Sequence, residues 1–244
     1  MNAARPNDAD QESTTASAAS VFQRQWRTYR KILDSNYMFH REVYGRLRRI
    51  LIDEAVQPFR FLDIACGDAT ATSTALTGMK VGAYFGIDLS QPALDLAREA
   101  VETLGCPVTL QCRDFVEVLR DWDAPVDVAW IGQSLHHLQL ADKLALMRRI
   151  RHIVGDHGLF LIWEAISFDG ENREAWFRRF EQIRPAFTSL SPEEWDAMAE
   201  HTRMADIPET NAQWHRLGHE AGFGRTRQLF VAPHQLSAMY CFST

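Results

Sequence analysis

Hydrophobic and polar positions follow two different periods between residues 58 and 165. Short, nearly continuous apolar runs predict strands buried on both faces, whereas stretches with an apolar residue every three or four positions predict amphipathic helices. Helical patterns separate the strand-like runs, as in Leu94, Ala97 and Val101. Strands that alternate with helices predict an α/β fold with a mostly parallel sheet. The strand-like runs are 59–64, 83–87, 108–112, 126–131 and 159–163.

Helical patterns also flank this region on both sides. Before the first strand, Tyr29 and Tyr37 belong to one apolar stripe, and Val43 begins a second. Two interpretations of these helices stay open: their aromatic residues pack against the domain, or they cover a bound ligand as a lid. After the fifth strand, residues 165–208 carry aromatic side chains on helical patterns, and a capping box at Ser191 restarts the helix. An insertion at this point lies above the ligand-binding edge, so it predicts a substrate cap.

These patterns divide the chain into five parts. Residues 1–20 are polar, lack the apolar segment of a secretory signal and predict a disordered tail. A helical lid at 21–57 and a cofactor-binding α/β core at 58–165 follow. A helical substrate cap spans 166–208, and the C-terminal part of the core, with a helix and two strands, spans 209–244. The predicted fold is a doubly wound, seven-stranded, mostly parallel sheet, with the cap inserted after the fifth strand.

Composition and charge exclude several classes of function. The 244 residues carry a net charge of −6 with a pI near 5.8, which argues against a general electrostatic grip on nucleic acid. No apolar stretch approaches the ~18 residues that a membrane span needs. The four cysteines show no C-x-x-C spacing and no paired histidine ligands, so we expect no metal site, no disulfide framework and a reducing, cytoplasmic compartment. The acidic net charge fits a small-molecule partner, and the seven tryptophans are compatible with a homodimer.

The residues that follow the first strand carry the most specific chemistry. They read Asp-Ile-Ala-Cys-Gly-Asp-Ala from position 63, with Gly67 at a sharp turn and Asp63 at the carboxyl end of the strand, where ligands bind in such sheets. The dinucleotide fingerprint G-x-G-x-x-G fails, because alanine and threonine stand where two of its glycines belong. A pyrophosphate would also meet Asp63 and Asp68, whereas a cationic group would be attracted. S-adenosylmethionine, with an ammonium and a sulfonium, is such a ligand.

This loop resembles the first motif of the class I S-adenosylmethionine-dependent methyltransferases that act on small molecules, with alanine at two of three glycine positions. Asp88 ends the second strand about 20 residues later, where an acid can hold both ribose hydroxyls. The resemblance implies that Asp114 and Phe115 contact the adenine and that residues 133–137 line the methyl-transfer site. It also implies a terminal antiparallel strand pair and S-adenosylmethionine as the cofactor. The candidate cofactor-binding residues are Asp63, Ala65, Gly67, Asp88, Leu89, Asp114, Phe115, Gln133 and Tyr29.

Methyl transfer from a sulfonium needs in-line alignment more than acid or base strength, but a hydroxyl or ammonium acceptor is helped by a base. His136 and His137 follow the fourth strand and are the candidate catalytic bases, of which we expect at most one to reach the substrate. A structural interpretation, with one histidine packed against the next helix and the other lining the pocket, stays open. The candidate substrate-binding residues are Trp26, Tyr37, His40, Glu164 and His201.

Two other functions compete with methyl transfer. The first is a non-catalytic protein that keeps the cofactor pocket as a sensor or as a module for a partner. The second is a nicotinamide oxidoreductase on the same fold class, which the missing glycines and the acidic loop disfavour. The sequence leaves the acceptor atom open among oxygen, nitrogen, sulfur and carbon, and it does not distinguish a free substrate from a carrier-bound one.

Overall fold

The computed structural model of the protein describes residues 27–244. The polar segment 1–20 and Trp26 lie outside the described residues. Residues 27–34 form helix α1, and helix α2 comprises His40–Glu54, so two helices precede the first strand as predicted. Among the described residues, no helix has the length and apolarity needed to cross a membrane.

An eight-stranded sheet forms the centre of the molecule. Its main path has the order β3-β2-β1-β4-β5-β8-β7, and the two-residue strand β6 pairs with β5 off this path. Strands β1 to β5 are parallel to one another, and β8 is antiparallel to both β5 and β7. The predicted seven-stranded sheet with a terminal antiparallel pair is therefore confirmed. The strands are β1 Phe59–Ile64, β2 Val81–Asp88, β3 Val108–Cys112, β4 Val128–Gly132, β5 Leu159–Ser167, β6 Glu209–Thr210, β7 Arg225–Val231 and β8 Ser237–Ser243.

Helices cover both faces of this sheet. On one face, Val43, Leu47 and Leu51 of α2 pack in a cluster with buried residues of the strands. On the other face, α6 and α9 contribute to a second cluster, in which Ile150 and Trp214 are fully buried. Chain order reverses between β1 and β4, which opens a crevice at the carboxyl ends of these two strands. The remaining helices are α3 Thr70–Leu76, α4 Gln91–Glu102, α5 Phe115–Arg120, α6 Leu140–Val154, α7 Arg173–Glu181, α8 Pro192–Ala205 and α9 Asn211–Glu220.

Strand β5 is longer than the sequence predicts. The apolar pattern predicts an end at Glu164, but the strand continues to Ser167. Its extension pairs with β8 at Ala165 and with β6 at Ile166. Because β8 and β6 come from the distant C-terminal part of the chain, the local pattern did not reveal them. Three further strand residues thus follow Glu164, although the parallel pairing of β5 with β4 already ends at Trp163.

The segment after β5 folds into a small helical layer above the crevice, made of α7, α8 and a 3-10 turn at Arg184–Ala186. Its aromatic residues form a third apolar cluster with Leu236. The N-terminal segment closes onto this layer, because Lys31 Nζ lies 2.7 Å from a carboxylate oxygen of Glu194 and the ring of Tyr37 stacks on Phe187 at 4.4 Å between centroids. Lid and cap therefore contact each other directly.

Candidate active site

The loop between β1 and α3 keeps a glycine-type backbone although two of its key positions are alanine. Ala65, Gly67 and Ala69 have φ angles of 54°, 55° and 52°, all in the left-handed region. A non-glycine residue there costs about 1–2 kcal/mol, because Cβ approaches the following carbonyl oxygen. The loop thus takes up left-handed backbone at all three positions, with strain at the two alanines.

Acidic side chains converge around this loop. Asp63 is buried, and its Oδ2 accepts a hydrogen bond of 2.7 Å from the hydroxyl of Tyr84. Burial, helped by the neighbouring carboxylates of Asp88 and Asp68, raises the pKa of Asp63 to about 7 against the hydrogen bond from Tyr84. Asp88 accepts a bond of 2.8 Å from the backbone N–H of Gly67 and so ties the ends of β1 and β2 together. These carboxylates form a negative pocket that favours a cationic ligand.

A first cavity of about 80 Å³ opens at the carboxyl ends of β1 and β4. It brings together five of the residues that the sequence assigns to the cofactor. Burial and the nearby carboxylates raise the pKa of the Tyr29 hydroxyl above its usual range, so this hydroxyl is neutral and able to donate a hydrogen bond. The five residues are Asp63, Ala65, Gly67, Gln133 and Tyr29.

The other predicted cofactor residues lie outside this cavity. Asp88 contacts its wall through the backbone of Gly67. Leu89 is 69% exposed at the end of β2. Asp114 caps α5 by accepting a 2.7 Å bond from the N–H of Val116, and Phe115 packs against the core. The contacts of Asp114 and Phe115 therefore satisfy a structural role, and their contact with an adenine stays a prediction.

A second, larger cavity of about 240 Å³ lies beneath the cap. Its walls are mostly apolar and aromatic, and its polar groups come from four histidines, Asp206 and a few neutral side chains. Met38 and Gln133 line both cavities, so the two adjoin at these residues. Side chains of the cap that line it are Trp176, Phe180, Ile183, Phe187 and Met198.

His136 is held rigidly beside the larger cavity. Its Nδ1 lies 2.7 Å from Oε2 of Glu164, a fully buried carboxylate that also accepts backbone N–H bonds from Ser134, Leu135 and His136. An ionised carboxylate only accepts hydrogen bonds, so Nδ1 carries the proton and Nε2 faces away from Glu164. Burial opposes protonation of His136, but the charges of Glu164 and Asp206 prevail and raise its pKa.

His137 has a different environment, although its ring lies 4.2 Å from that of His136. Burial and the adjacent His136 and His201 lower its pKa to about 4, so its ring is neutral near pH 7. Its Nδ1 lies 3.8 Å from Oδ1 of Asp206, and His136 Nε2 lies 3.7 Å from the same oxygen. A base with so low a pKa has little tendency to take up a proton, which weakens the expectation that His137 acts as one.

The predicted substrate-binding residues separate into distinct places. His201 lines the larger cavity, and its ring lies 5.4 Å from that of His137. His40 lies instead in the smaller cavity, edge-on to Trp163. Tyr37 packs on the cap and accepts a 2.7 Å bond from the N–H of Ser189. Glu164 accepts a bond from the backbone N–H of Ser134 after β4, and Trp26 lies outside the described residues.

Sequence reasoning missed two polar side chains of this region. Tyr84 lies in the middle of β2, and its alternation with Phe85 indicated only a buried strand residue. Asp206 follows the end of α8 and reaches the histidines, with Ile207 N–H donating a 2.7 Å bond to the carbonyl of His136. Neither position carries a local motif. Only their place in the fold identifies them.

Residues 61–158 match the family model of a methyltransferase domain. A search among curated proteins found no match to the sequence. Among solved structures, the chain is similar to the S-adenosylmethionine-dependent methyltransferase SibL, with 17% identity and a TM-score of 0.53 over 77% of this chain and 50% of SibL. The chain thus spans about half the length of SibL.

Two further neighbours are covered almost completely. The plantazolicin methyltransferase BamL, solved with a triazolic desmethylPZN analog and SAH, shows 13% identity and a TM-score of 0.58 over 93% of this chain and 91% of BamL. Magnesium protoporphyrin IX methyltransferase from Synechocystis PCC 6803, solved with SAH, shows 14% identity and a TM-score of 0.58 over 92% and 94%. Similarity at this level of identity concerns the fold. Together with the domain match, it confirms the resemblance to class I methyltransferases and supports S-adenosylmethionine as the cofactor.

Proposed function

We propose that this chain, with its methyltransferase domain at residues 61–158, is an enzyme that transfers a methyl group from S-adenosylmethionine to a small, partly apolar acceptor. The observation that carries the proposal is the pair of adjoining cavities. One is acidic and formed at the strand ends, the other is aromatic and lies under the cap, and Met38 and Gln133 separate them. A donor and an acceptor bound on either side of this boundary would meet at Met38 and Gln133.

The residues of the smaller cavity suit the methionine end of the donor. When bound, S-adenosylmethionine supplies a methyl carbon whose bond to sulfur breaks as a bond to the acceptor forms. Asp63 and the neighbouring carboxylates stabilise positive charge there, and Asp88 is assigned to the ribose hydroxyls. Tyr29 and the other lid residues exclude water from the cavity. Alignment in an enclosed site supplies most of the rate increase such a reaction needs.

The larger cavity determines which acceptors fit. Its volume of about 240 Å³ lies just below the range of typical ligand pockets, and its aromatic walls favour a molecule with an apolar body. The named substrates of BamL and of the magnesium protoporphyrin IX methyltransferase are also small molecules, which supports this class. We assign His136, His137 and His201 to the polar part of the acceptor, because they provide the polar groups on one wall. Of the two candidate bases, His136 has the more firmly held ring, because its Nδ1 is bonded to Glu164.

The compartment, the partner and the oligomeric state complete the proposal. All four cysteines are unpaired, which fits the reducing cytoplasm that we propose as the compartment. A free small molecule is the proposed partner, in preference to nucleic acid or a membrane surface. A homodimer stays a prediction that a solution mass measurement decides.

The proposal is tested by incubating the protein with isotopically labelled S-adenosylmethionine and a fractionated metabolite extract, followed by mass identification of the labelled product. We expect one product whose formation His136→Ala lowers by roughly 10² or more while cofactor affinity is retained. Binding of the cofactor without any labelled product would instead favour the sensor function. Thermal stabilisation by NADPH but not by S-adenosylmethionine or its demethylated product would favour an oxidoreductase.

A further inference from the structure

The wall of the larger cavity contains three groups with metal-ligating atoms in a small space. Nε2 of His136, Nδ1 of His137 and Oδ1 of Asp206 define the cluster, and its ligand atoms all lie within 4.8 Å of one another. We propose that these three residues bind a divalent transition-metal ion of the Zn²⁺ and Co²⁺ type. This differs from the sequence-based expectation of no metal, which considered the spacing of the cysteines and of histidines that could pair with them as ligands.

The carboxylate of Asp206 is the first reason for the proposal. Asp206 is only 8% exposed, and its Oδ1 receives no hydrogen bond from the described residues. A buried carboxylate oxygen without a donor is costly, and such atoms in native proteins require an explanation. Both nearby histidine nitrogens are 3.7 and 3.8 Å away, which is too far for a hydrogen bond. A cation between the three groups would satisfy all of them.

The orientation of His136 is the second reason. Nδ1 of this ring is bonded to Glu164 at 2.7 Å, so Nε2 is the nitrogen directed at Asp206, and its lone pair is available to an ion when the ring is neutral. A carboxylate that holds the far nitrogen of a ligating histidine is the usual outer support of a metal site, since it sets the tautomer and strengthens the ligand. Glu164 is itself fixed by three backbone N–H groups. The chain therefore contains a prepared ligand together with its support.

Distances allow an ion with small adjustments. Metal bonds of about 2.0–2.2 Å to nitrogen and oxygen place ligand atoms roughly 3 to 4 Å apart. The separations of 3.7 and 3.8 Å meet this condition, and the widest pair in the cluster must close by less than ~1 Å. Two imidazoles and one carboxylate suit Zn²⁺, Fe²⁺ or Co²⁺ better than Mg²⁺ or Ca²⁺, which prefer oxygen ligands.

The position of the cluster indicates a role. All three residues line the acceptor cavity, so the free coordination positions of a bound ion would face the acceptor. An oxygen or nitrogen atom of the acceptor is the ligand that such positions take. This role rests on the proposed function, whereas binding of the ion itself does not depend on it.

The test uses the full chain after removal of metals with a chelator. Titration with Co²⁺ is followed by visible absorption, and titration with Zn²⁺ by calorimetry. We expect saturable binding of one equivalent, a Co²⁺ spectrum typical of nitrogen and oxygen ligands, and a loss of affinity of about 10²-fold or more in Asp206→Asn and His137→Ala. His234→Ala is the matched control, because His234 lines the same cavity outside the cluster, and we expect its affinity to equal that of the wild type.

Asp206→Asn preserves the size of the side chain, so it carries the test if His137→Ala fails to fold. Absence of saturable binding at millimolar ion, unchanged affinity in Asp206→Asn, or a sulfur-to-cobalt charge-transfer band would overturn the proposal. Binding of the demethylated cofactor is measured on the same samples. Retained cofactor binding with no metal binding would reject the metal site alone, whereas loss of cofactor binding would count against the proposed function.

Discussion

Replacement of Asp88 by alanine tests the cofactor site most directly. The carboxylate accepts two backbone bonds of 2.8 Å, one from Gly67 in the loop after β1 and one from Ser90 before α4. It therefore shapes the loop and, in the proposed complex, also holds the ribose. A hydrogen bond to a charged group contributes about 1.5–3 kcal/mol, so we expect Asp88→Ala to weaken binding of the demethylated cofactor roughly 10- to 150-fold.

Calorimetry measures this affinity, and circular dichroism establishes that the variant is folded. Asp53→Ala, on the exposed side of α2, removes the same charge far from the loop and should bind as the wild type does. Asp88→Asn keeps one acceptor oxygen, so its affinity for the demethylated cofactor should lie between those of Asp88→Ala and the wild type. A folded Asp88→Ala protein with wild-type affinity would remove Asp88 from the cofactor site and leave it only the role of tying the strand ends.

Three further predictions concern stability. Ala65→Gly and Ala69→Gly relieve left-handed strain of about 1 kcal/mol each, partly offset by the greater freedom of glycine in the unfolded chain, so melting temperatures should stay equal or rise; a clear fall would contradict this reasoning. Glu164→Gln replaces an acceptor of three backbone N–H groups and should lower the free energy of unfolding in urea by about 2–4 kcal/mol, and no change would refute the buried network. Burial lowers the pKa of His40 to about 4, so the unfolded state binds the extra proton between pH 6.5 and 4, and stability falls as pH falls through this window. In urea unfolding measured across this pH range, His40→Phe should lose about 3 kcal/mol less unfolding free energy than the wild type. A pH profile identical to that of the wild type would show that His40 is not buried as a neutral ring.

Much of the fold followed from local pattern. Apolar runs and helical stripes predicted the order of elements because burial on both faces of a parallel sheet imposes continuous apolar strands. The same pattern predicted the acidic strand ends, since parallel strands bring their carboxyl ends to one edge. Asp63, Gly67 and Gln133 consequently meet in one cavity.

Other features depended on distant parts of the chain. Glu164 was expected to end the fifth strand, but pairing with β8 and β6 extends that strand to Ser167, and the carboxylate of Glu164 accepts bonds from the backbone after β4. His40 was expected at the substrate, but the path of the N-terminal segment places it in the smaller cavity. These outcomes depend on contacts between segments that no local pattern links.

The sequence by itself determined the class of fold and the acidic loop, because both depend on short-range periodicity and on residues adjacent in the chain. Only the tertiary structure decided which histidine ring a buried carboxylate holds and which side chains separate the two cavities. It also decided that Asp206 lies beside His136 and His137, although some 70 residues intervene. The physical reason is that the direction of a side chain is set by the packing of its own element against others. That packing is a property of the assembled molecule.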